Sequence, residues 1–467
     1  MSKFADELFA DLMREHGPAL EILDRPVPRE AIRRPVTARR RPPRSLTGHT
    51  RRPRRQPAWL APVAAACGVT LAVGLAVVLG RHVDSGGQAG PANDGRAETA
   101  YVFDAYRGAV TPISPVTGKL GKPVRVGPGG YLTGRRKRRI QDSRIVQDLI
   151  LPDGMTNYAL YLTGHGKSAT YVLRRTSLVT GAAGQPIPVG RGAQQMVITP
   201  DGTTAYLSYR LGRYQTEYAL RPVSLATGTV GKPILRANEA GPVSAVAPSM
   251  TPDGRTLYVP YWHQDKVTPI STATNTPGKP VRLPGTLSVE FSPNGGTAFV
   301  SGPGMVTPIS TATNTPGRTI SLGPHADLWA FTPDGKTVYV VRYATSVTPI
   351  SMSTGRAGKP IPLHGIRGAC DIAMTPDGRT LYVTSLEGDR VIPISLATNT
   401  AAKPLNVPGA VLNIVITPDG RTAYTYSGMV GEPQIVTPIS TATNTVGKPI
   451  RTAPDTEVLI PGDQNPQ

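Results

Sequence analysis

Five acidic or histidine side chains in the second half of the chain are candidates for acid–base chemistry. They lie in or beside predicted connecting segments: His263, Asp265, His325, His364 and Asp371. Carboxylates and imidazoles transfer protons near neutral pH when a fold holds them within hydrogen-bonding distance. A converging cluster would indicate a lactonase- or lyase-type enzyme, whereas separate loop histidines are usually solvated.

The motifs that bind cofactors and metals are missing from the sequence. It contains no Cys-x-x-Cys-His haem attachment site, no His-Glu-x-x-His pair, no Gly-x-Ser-x-Gly elbow and no phosphate-binding loop. The two cysteines, Cys67 and Cys370, indicate no disulfide framework. We therefore expect no cofactor and no bound metal, and the sequence favours a binding role over catalysis.

A dense run of positive charge is the second candidate site. It consists of Arg135, Arg136, Lys137, Arg138 and Arg139. Such a run predicts contact with a polyanion, for example an anionic cell-wall polymer or lipid, and a solvated loop is the alternative. Residues 81–467 hold 37 Lys and Arg against 24 Asp and Glu, a net charge of +13 within the +20 of the chain. We do not expect a nucleic-acid partner.

A repeated turn determines how these residues are positioned. Pro-Asp-Gly or Pro-Asn-Gly starts at Pro152, Pro200, Pro252, Pro293, Pro333, Pro376 and Pro418. The proline presets φ, the Asp or Asn side chain binds nearby backbone, and the glycine takes the positive φ that closes a tight turn. Repeats of 40 to 52 residues indicate one structural unit per repeat.

Each turn is followed by strand patterns. An alternating segment such as Thr256-Leu-Tyr-Val comes first, a Val-Thr-Pro-Ile-Ser segment follows, and two further strands complete the unit. Four antiparallel strands per unit predict an all-β propeller over 100–467. Eight blades are favoured, because the terminal segment beginning at Glu457 could complete the first unit and close the ring, and seven blades are the alternative.

The repeats resemble the YVTN family of β-propeller proteins, which occur in bacterial and archaeal envelopes. The resemblance covers about residues 100–460 and is carried by Thr251–Val259, Thr332–Val340, Thr375–Val383 and the Ser-Thr-Ala-Thr-Asn-Thr turns. It implies the fold and is nearly silent on function. One departure is a proline within the Val-Thr-Pro-Ile-Ser strand, the second strand after the turn, in most units. Proline removes a ladder donor, so we expect a bulge or locally open pairing there.

The first 99 residues predict a membrane anchor. Residues 59–80 are uncharged and long enough to cross a bilayer as one transmembrane helix, and the arginines of the tether at 25–58 place the N-terminus in the cytoplasm. A cleavable signal peptide and lipidation at Cys67 are the alternatives. Residues 81–99 are predicted to form a flexible linker, which places the propeller outside the cell.

The extreme N-terminus predicts an amphipathic helix within residues 1–24. Its apolar face consists of Phe4, Leu8, Phe9, Leu12 and Met13. This face could dock a cytoplasmic protein partner or the membrane surface, and a frayed tail is the alternative.

Three functions are compatible with these features. The favoured one is a membrane-anchored extracellular module that binds a protein or anionic glycan of the cell envelope. The alternatives are an extracellular lactonase- or lyase-type enzyme and a transmembrane sensor with a cytoplasmic docking helix. The Ala, Arg, Gly and Pro bias resembles actinobacterial composition.

Overall fold

A computed structural model describes residues 100–461, except 105–106, 115–116, 129–142, 165–168, 212–216, 239–247, 262–263, 287, 293, 324–325, 343–344, 366, 388, 429–432, 455 and 460. The predicted segments 1–24, 25–58, 59–80 and 81–99 lie outside the described residues. Within the described ranges, no helix is long and apolar enough to cross a membrane.

The regular elements of the described chain are β-strands, and they form eight successive blades. Blade 1 contains β1 (Ala100–Asp104), β2 (Ala109–Ile113) and β3 (Val124–Arg125). Blade 2 contains β4 (Ser143–Ile150), β5 (Thr156–Thr163), β6 (Thr170–Ser177) and β7 (Ile187–Gly190). Blade 3 contains β8 (Ala193–Ile198), β9 (Thr204–Leu211), β10 (Glu217–Ser224) and β11 (Leu235–Asn238). Blades 4 and 5 contain β12 (Ser249–Met250), β13 (Thr256–Tyr261), β14 (Lys266–Ser271), β15 (Thr276–Pro277) and β16 (Val281–Arg282); and β17 (Ser288–Phe291), β18 (Thr297–Gly302), β19 (Met305–Ser310), β20 (Thr315–Pro316) and β21 (Ile320–Ser321). Blade 6 contains β22 (Ala326–Phe331), β23 (Thr337–Arg342), β24 (Ser346–Ser351) and β25 (Ile361–Pro362). Blades 7 and 8 contain β26 (Arg367–Met374), β27 (Thr380–Glu387), β28 (Arg390–Ser395), β29 (Thr400–Ala401) and β30 (Leu405–Asn406); and β31 (Val411–Ile416), β32 (Thr422–Ser427), β33 (Pro433–Ser440), β34 (Thr445–Val446) and β35 (Ile450–Pro454).

The last strand closes the ring. β36 (Thr456–Leu459) pairs antiparallel with β1, so that Val102 lies opposite Val458, and blade 1 therefore takes its innermost strand from the end of the chain. Joining the two ends of the chain in one sheet removes the open edges that an incomplete ring would have. The prediction of an all-β propeller with eight blades is confirmed.

The Pro-Asp-Gly turns are held by a repeated set of hydrogen bonds. In blade 4, Asp253 Oδ1 accepts from the Thr251 hydroxyl at 2.6 Å and from the Arg255 N–H at 3.0 Å. The Thr251 hydroxyl oxygen in turn accepts the N–H of Thr256 at 3.0 Å. Gly254 has a φ of +70°, and a Cβ there would lie 2.6 Å from Pro200 of the preceding blade. Glycine is therefore required both by the turn and by its contact with the neighbouring blade.

The core is divided among the interfaces between consecutive blades. Each interface has its own cluster of buried apolar side chains, including the one between blades 8 and 1, where Val415 and Tyr424 pack with Val102 and Val458. A single blade leaves both sheet faces uncovered, so its stability depends on its two neighbours.

In seven blades, a proline in the third strand lies where the outer strand is interrupted. Tyr258 stays paired with Pro269 in an unbroken register between β13 and β14, so the predicted bulge is absent there. On the other side, the Pro269 carbonyl accepts from the Gly278 N–H at 2.8 Å, and residues 278–280 then leave the ladder between β15 and β16. The predicted open pairing is confirmed, and it lies where the missing proline N–H would have faced the outer strand.

Four interfaces also carry a tyrosine–asparagine hydrogen bond that the sequence analysis did not predict. The tyrosine of one blade's second strand donates to an asparagine in the next blade's outer turn at 2.5 to 2.8 Å: Tyr206 to Asn275, Tyr258 to Asn314, Tyr339 to Asn399 and Tyr382 to Asn444. Each asparagine has a positive φ. Blade 5 has Phe299 instead of tyrosine, and the following turn has Gly355 instead of asparagine.

Candidate functional site

Two ends of the ring differ in their connections. One end of the ring carries the loops that join the second strand of a blade to its third strand and the loops that join a fourth strand to the next blade. We name this end the loop face. The turn face at the other end holds the Pro-Asp-Gly turns. Asp265 and His364 lie at the loop face, and His364 is exposed. The predicted candidates His263 and His325, the run Arg135–Arg139 and the helical face Phe4–Met13 lie outside the described residues.

Asp265 binds the backbone of its own blade. Its Oδ1 accepts the N–H of Gly285 at 2.7 Å, and its carbonyl accepts the N–H of Leu283 at 2.7 Å. The residue has a φ of +48°. Asp265 therefore fixes the path of the chain as it leaves blade 4.

Asp371 lies within strand β26 and is buried. Its carboxylate accepts the N–H of Ile372 at 2.7 Å and, across the blade interface, the N–H of Ile414 in β31 at 2.9 Å. Burial raises the pKa of Asp371 to about 7, although both backbone bonds lower it. Asp371 thus joins the innermost strands of blades 7 and 8.

Gln147 makes the same type of bridge between blades 2 and 3. Its amide accepts the N–H of Met196 at 2.6 Å and donates to the Met196 carbonyl at 3.0 Å. Both Gln147 and Asp371 lie in inner strands next to a register shift. In these two blades a polar side chain at the same position of the inner strand links one blade to the next.

Glu290 is a further buried acid in an inner strand, and the sequence analysis missed it. The Trp329 indole N–H of blade 6 donates to Glu290 Oε1 at 3.3 Å. Burial raises the pKa of Glu290 to about 8, although the indole bond lowers it. An acid within the otherwise strand-like segment Ser288–Phe291 was the available sequence signal.

The described catalytic candidates are not brought into contact with one another. Asp265 belongs to blade 4, His364 follows blade 6 and Asp371 belongs to blade 7, and no hydrogen bond or ion pair joins them in the described part of the chain. Across the same ranges, no group of three or more His, Cys, Asp or Glu side chains could hold a metal ion. The geometry therefore offers no assembled acid–base or metal centre among these residues.

The outer strands carry a second, regular arrangement of charge. In seven blades the carbonyl oxygen of the third-strand proline accepts an N–H from the start of the outer strand, and the residue directly after that donor is an exposed Lys or Arg. These residues are Lys122, Lys232, Lys279, Arg318, Lys359, Lys403 and Lys448. Blade 2 has Gln185 at this position, but Arg175 replaces its proline and is exposed. Seven blades therefore present a cation at the same position of the outer strand, and blade 2 presents Arg175 from the neighbouring third strand. We name these eight residues the outer belt.

Comparisons with known proteins support the fold. No family profile matches the chain, and no curated protein matches its sequence. A solved structure of the dihydro-heme d1 dehydrogenase NirN in complex with DHE is similar over 89% of this chain and 84% of its own, with a TM-score of 0.60 and 15% identity. Hydrazine synthase of Kuenenia stuttgartiensis aligns over 70% of this chain and all of its own, at 18% identity, but with a TM-score of only 0.41. The first of these shows that this chain has the fold of a β-propeller.

Proposed function

We propose that this chain is a membrane-anchored extracellular binding or scaffold module whose partner is an anionic component of the cell envelope. The outer belt carries this proposal, because seven blades present an exposed cation at an equivalent position and blade 2 presents Arg175 on the adjacent strand. A surface with one sign of charge raises the local concentration of oppositely charged partners. The run Arg135–Arg139 would add to the same attraction.

The use made of the acidic residues supports binding over catalysis. Asp265 and Asp371 both bind backbone N–H groups of the ring itself. A catalytic carboxylate needs lone pairs that face a substrate. The lactonase- or lyase-type alternative would therefore have to rely on other groups.

The remaining parts of the proposal come from the sequence. The uncharged segment 59–80 would hold the ring outside the cell. The apolar face of residues 4–13 would dock a cytoplasmic partner, which would make the chain a sensor. Deleting residues 1–24 tests the sensor function, since an unchanged transcriptional profile would contradict it.

Capture from envelope extract tests the partner class. The full-length chain in non-ionic detergent is immobilised and exposed to extract of the source cells at low and high salt. We expect an anionic glycan or protein that is retained at low salt and released at high salt, because salt screens exposed charges. A partner retained equally at both salt concentrations would contradict an electrostatic interaction. An empty matrix would favour a small-molecule substrate at the loop face.

A further inference from the structure

Positive charge on the perimeter is not balanced by acidic residues. We define the outer segments as the stretches that follow each third strand: 114–128, 178–192, 225–238, 272–286, 311–323, 352–365, 396–410 and 441–454. Their basic residues are Lys119, Lys122, Arg125, Arg191, Lys232, Arg236, Lys279, Arg282, Arg318, Arg356, Lys359, Lys403, Lys448 and Arg451. The same segments contain no Asp or Glu.

The turn face provides an internal contrast. Arg255, Lys336, Arg379 and Arg421 each lie 3.5 to 3.8 Å from the aspartate of their own Pro-Asp-Gly turn. No ion pair between described side chains involves the outer belt. The turn face is therefore locally neutralised, whereas the belt charges are available to a partner.

Protection of the sheet edges does not explain this sign preference. Charged side chains on an exposed edge strand prevent edge-to-edge pairing. Lysine is the most frequent choice but other charged side chains serve as well, yet the only charged residues of the outer segments are cations, and they include seven arginines. A uniformly positive perimeter is instead what recognition of a polyanion requires.

The shape of the ring selects among anionic partners. The belt residues are distributed over all eight blades and face outward around a closed ring. A flat bilayer could meet only part of such a perimeter, whereas a flexible chain can follow it from blade to blade. We propose that the outer belt binds a flexible linear polyanion with phosphate-type charges along its backbone. This inference rests on the proposed function and names the partner class and the surface.

The test compares two sets of charge removals in the full-length chain. The belt variant changes Lys232, Lys279, Arg318 and Lys359 to Gln, and the matched control changes Arg255, Lys336, Arg379 and Arg421 to Gln. Both variants lose four positive charges at exposed sites. Binding of long-chain sodium polyphosphate is measured against a salt series, with tripolyphosphate at equal phosphate concentration as the short probe.

We expect the long chain to bind more tightly than tripolyphosphate, because adjacent blades act together. The belt variant should raise Kd at least about tenfold and reduce the slope of log Kd against log salt by about 3, at ~0.7 per lost contact. The matched control should change Kd by less than about threefold, because its cations are already paired with aspartates.

Four results would overturn the inference. Equal losses in both variants would mean that only net charge matters, and equal binding of long and short phosphates would exclude a linear partner. Binding to phosphatidylglycerol vesicles but not to polyphosphate would point to a membrane surface. An unaffected belt variant, together with lost binding when Arg135–Arg139 are changed to Ser, would leave the proposed function intact and move the site to that run.

Discussion

Blade 2 and blade 5 differ at three equivalent positions inside the ring. Blade 2 has Asp148, Asn157 and Thr176 on its first, second and third strands, and all three are buried. Blade 5 has apolar residues at the corresponding registers: Val289, Ala298 and Ile309. The other blades are also apolar at the positions of Asn157 and Thr176.

The polar triplet of blade 2 is only partly satisfied. Asn157 Nδ2 donates to Asp148 Oδ1 at 2.8 Å and to the Leu149 carbonyl at 3.1 Å. Asp148 Oδ2, Asn157 Oδ1 and Thr176 Oγ1 have no protein partner. Unpaired buried polar atoms cost about 1 to 3 kcal/mol each.

The contrast shows what the repeat tolerates. Strand alternation places Asp148 and Ile150 on the same sheet face, and Ile150 packs with Tyr101 and Phe103 of blade 1. The polar triplet therefore lies at the interface with the blade that closes the ring. A closed ring of eight blades can contain one such interface because the other blades remain apolar at the positions of Asn157 and Thr176.

Introducing a buried carboxyl into blade 5, at the position equivalent to Asp148, should cause the largest change in the free energy of unfolding. Val289→Asp places a carboxyl of nearly the same volume in an interface that offers no amide like that of Asn157, so we expect a loss of about 3 to 5 kcal/mol in the free energy of unfolding. Urea unfolding of the full-length chain in non-ionic detergent measures it. Adding Ala298→Asn should recover about 1 to 3 kcal/mol by supplying the missing donor. Equal stability of the single and double variants would contradict the role assigned to Asn157.

The second-largest effect is expected in how the free energy of unfolding changes with pH. Burial raises the pKa of Asp148 to about 8, although the Asn157 bond lowers it. The folded chain keeps a proton that the unfolded chain releases near pH 4, so stability falls as pH rises from about 4 to about 8 and is constant above that. Glu290 and Asp371 act in the same direction, because burial raises their pKa values as well.

Asp148→Asn should make stability less dependent on pH within that window. Asp377→Asn is the control: burial raises its pKa, but bonds from Thr375 and Arg379 outweigh this and keep the pKa below its usual range. Its contribution is therefore lost only below about pH 4. Thermal unfolding between pH 5 and pH 8 compares the two variants, and identical slopes would mean that Asp148 is ionised in the folded chain.

The tyrosine–asparagine bonds should give a smaller effect. Tyr258→Phe removes the bond to Asn314, and we expect a loss of about 1 kcal/mol. Blade 2 provides the control, because the turn after it has Gly228 in place of asparagine, so Tyr158→Phe should cost less. Phe299→Tyr combined with Gly355→Asn should build a new bond at an interface that lacks one. Equal losses in both tyrosine variants, measured by urea unfolding, would show that the hydroxyl bond contributes nothing.

The sequence predicts the fold well because its signals are local. Proline, aspartate and glycine at adjacent positions specify a turn by themselves, and alternation specifies the strand that follows. Tyr258–Asn314 and Asp371–Ile414 join residues more than forty positions apart, and they depend on how one blade is set against the next. The outer belt was equally hidden, because only the strand register shows that Arg175 stands at the proline position of blade 2 and supplies the cation that Gln185 does not.

Glycines beside the third-strand residues should give the smallest effect. A Cβ on Gly231 would lie 2.8 Å from Pro222 Cγ, whereas a Cβ on Gly184 in blade 2 would lie 3.6 Å from Arg175 Cβ. Gly184→Ala should therefore leave the free energy of unfolding unchanged or raise it by up to about 1 kcal/mol, because alanine reduces the conformational entropy of the unfolded chain. Gly231→Ala should lower it by about 1 kcal/mol, because the added methyl group is too close to the proline ring. Blade 7 has Ala402 at this position, bonded to the Pro393 carbonyl at 2.8 Å, so its sheet already accommodates the methyl group. If Gly231→Ala is as stable as Gly184→Ala in thermal unfolding, every blade can adjust as blade 7 does, and proline does not require glycine there.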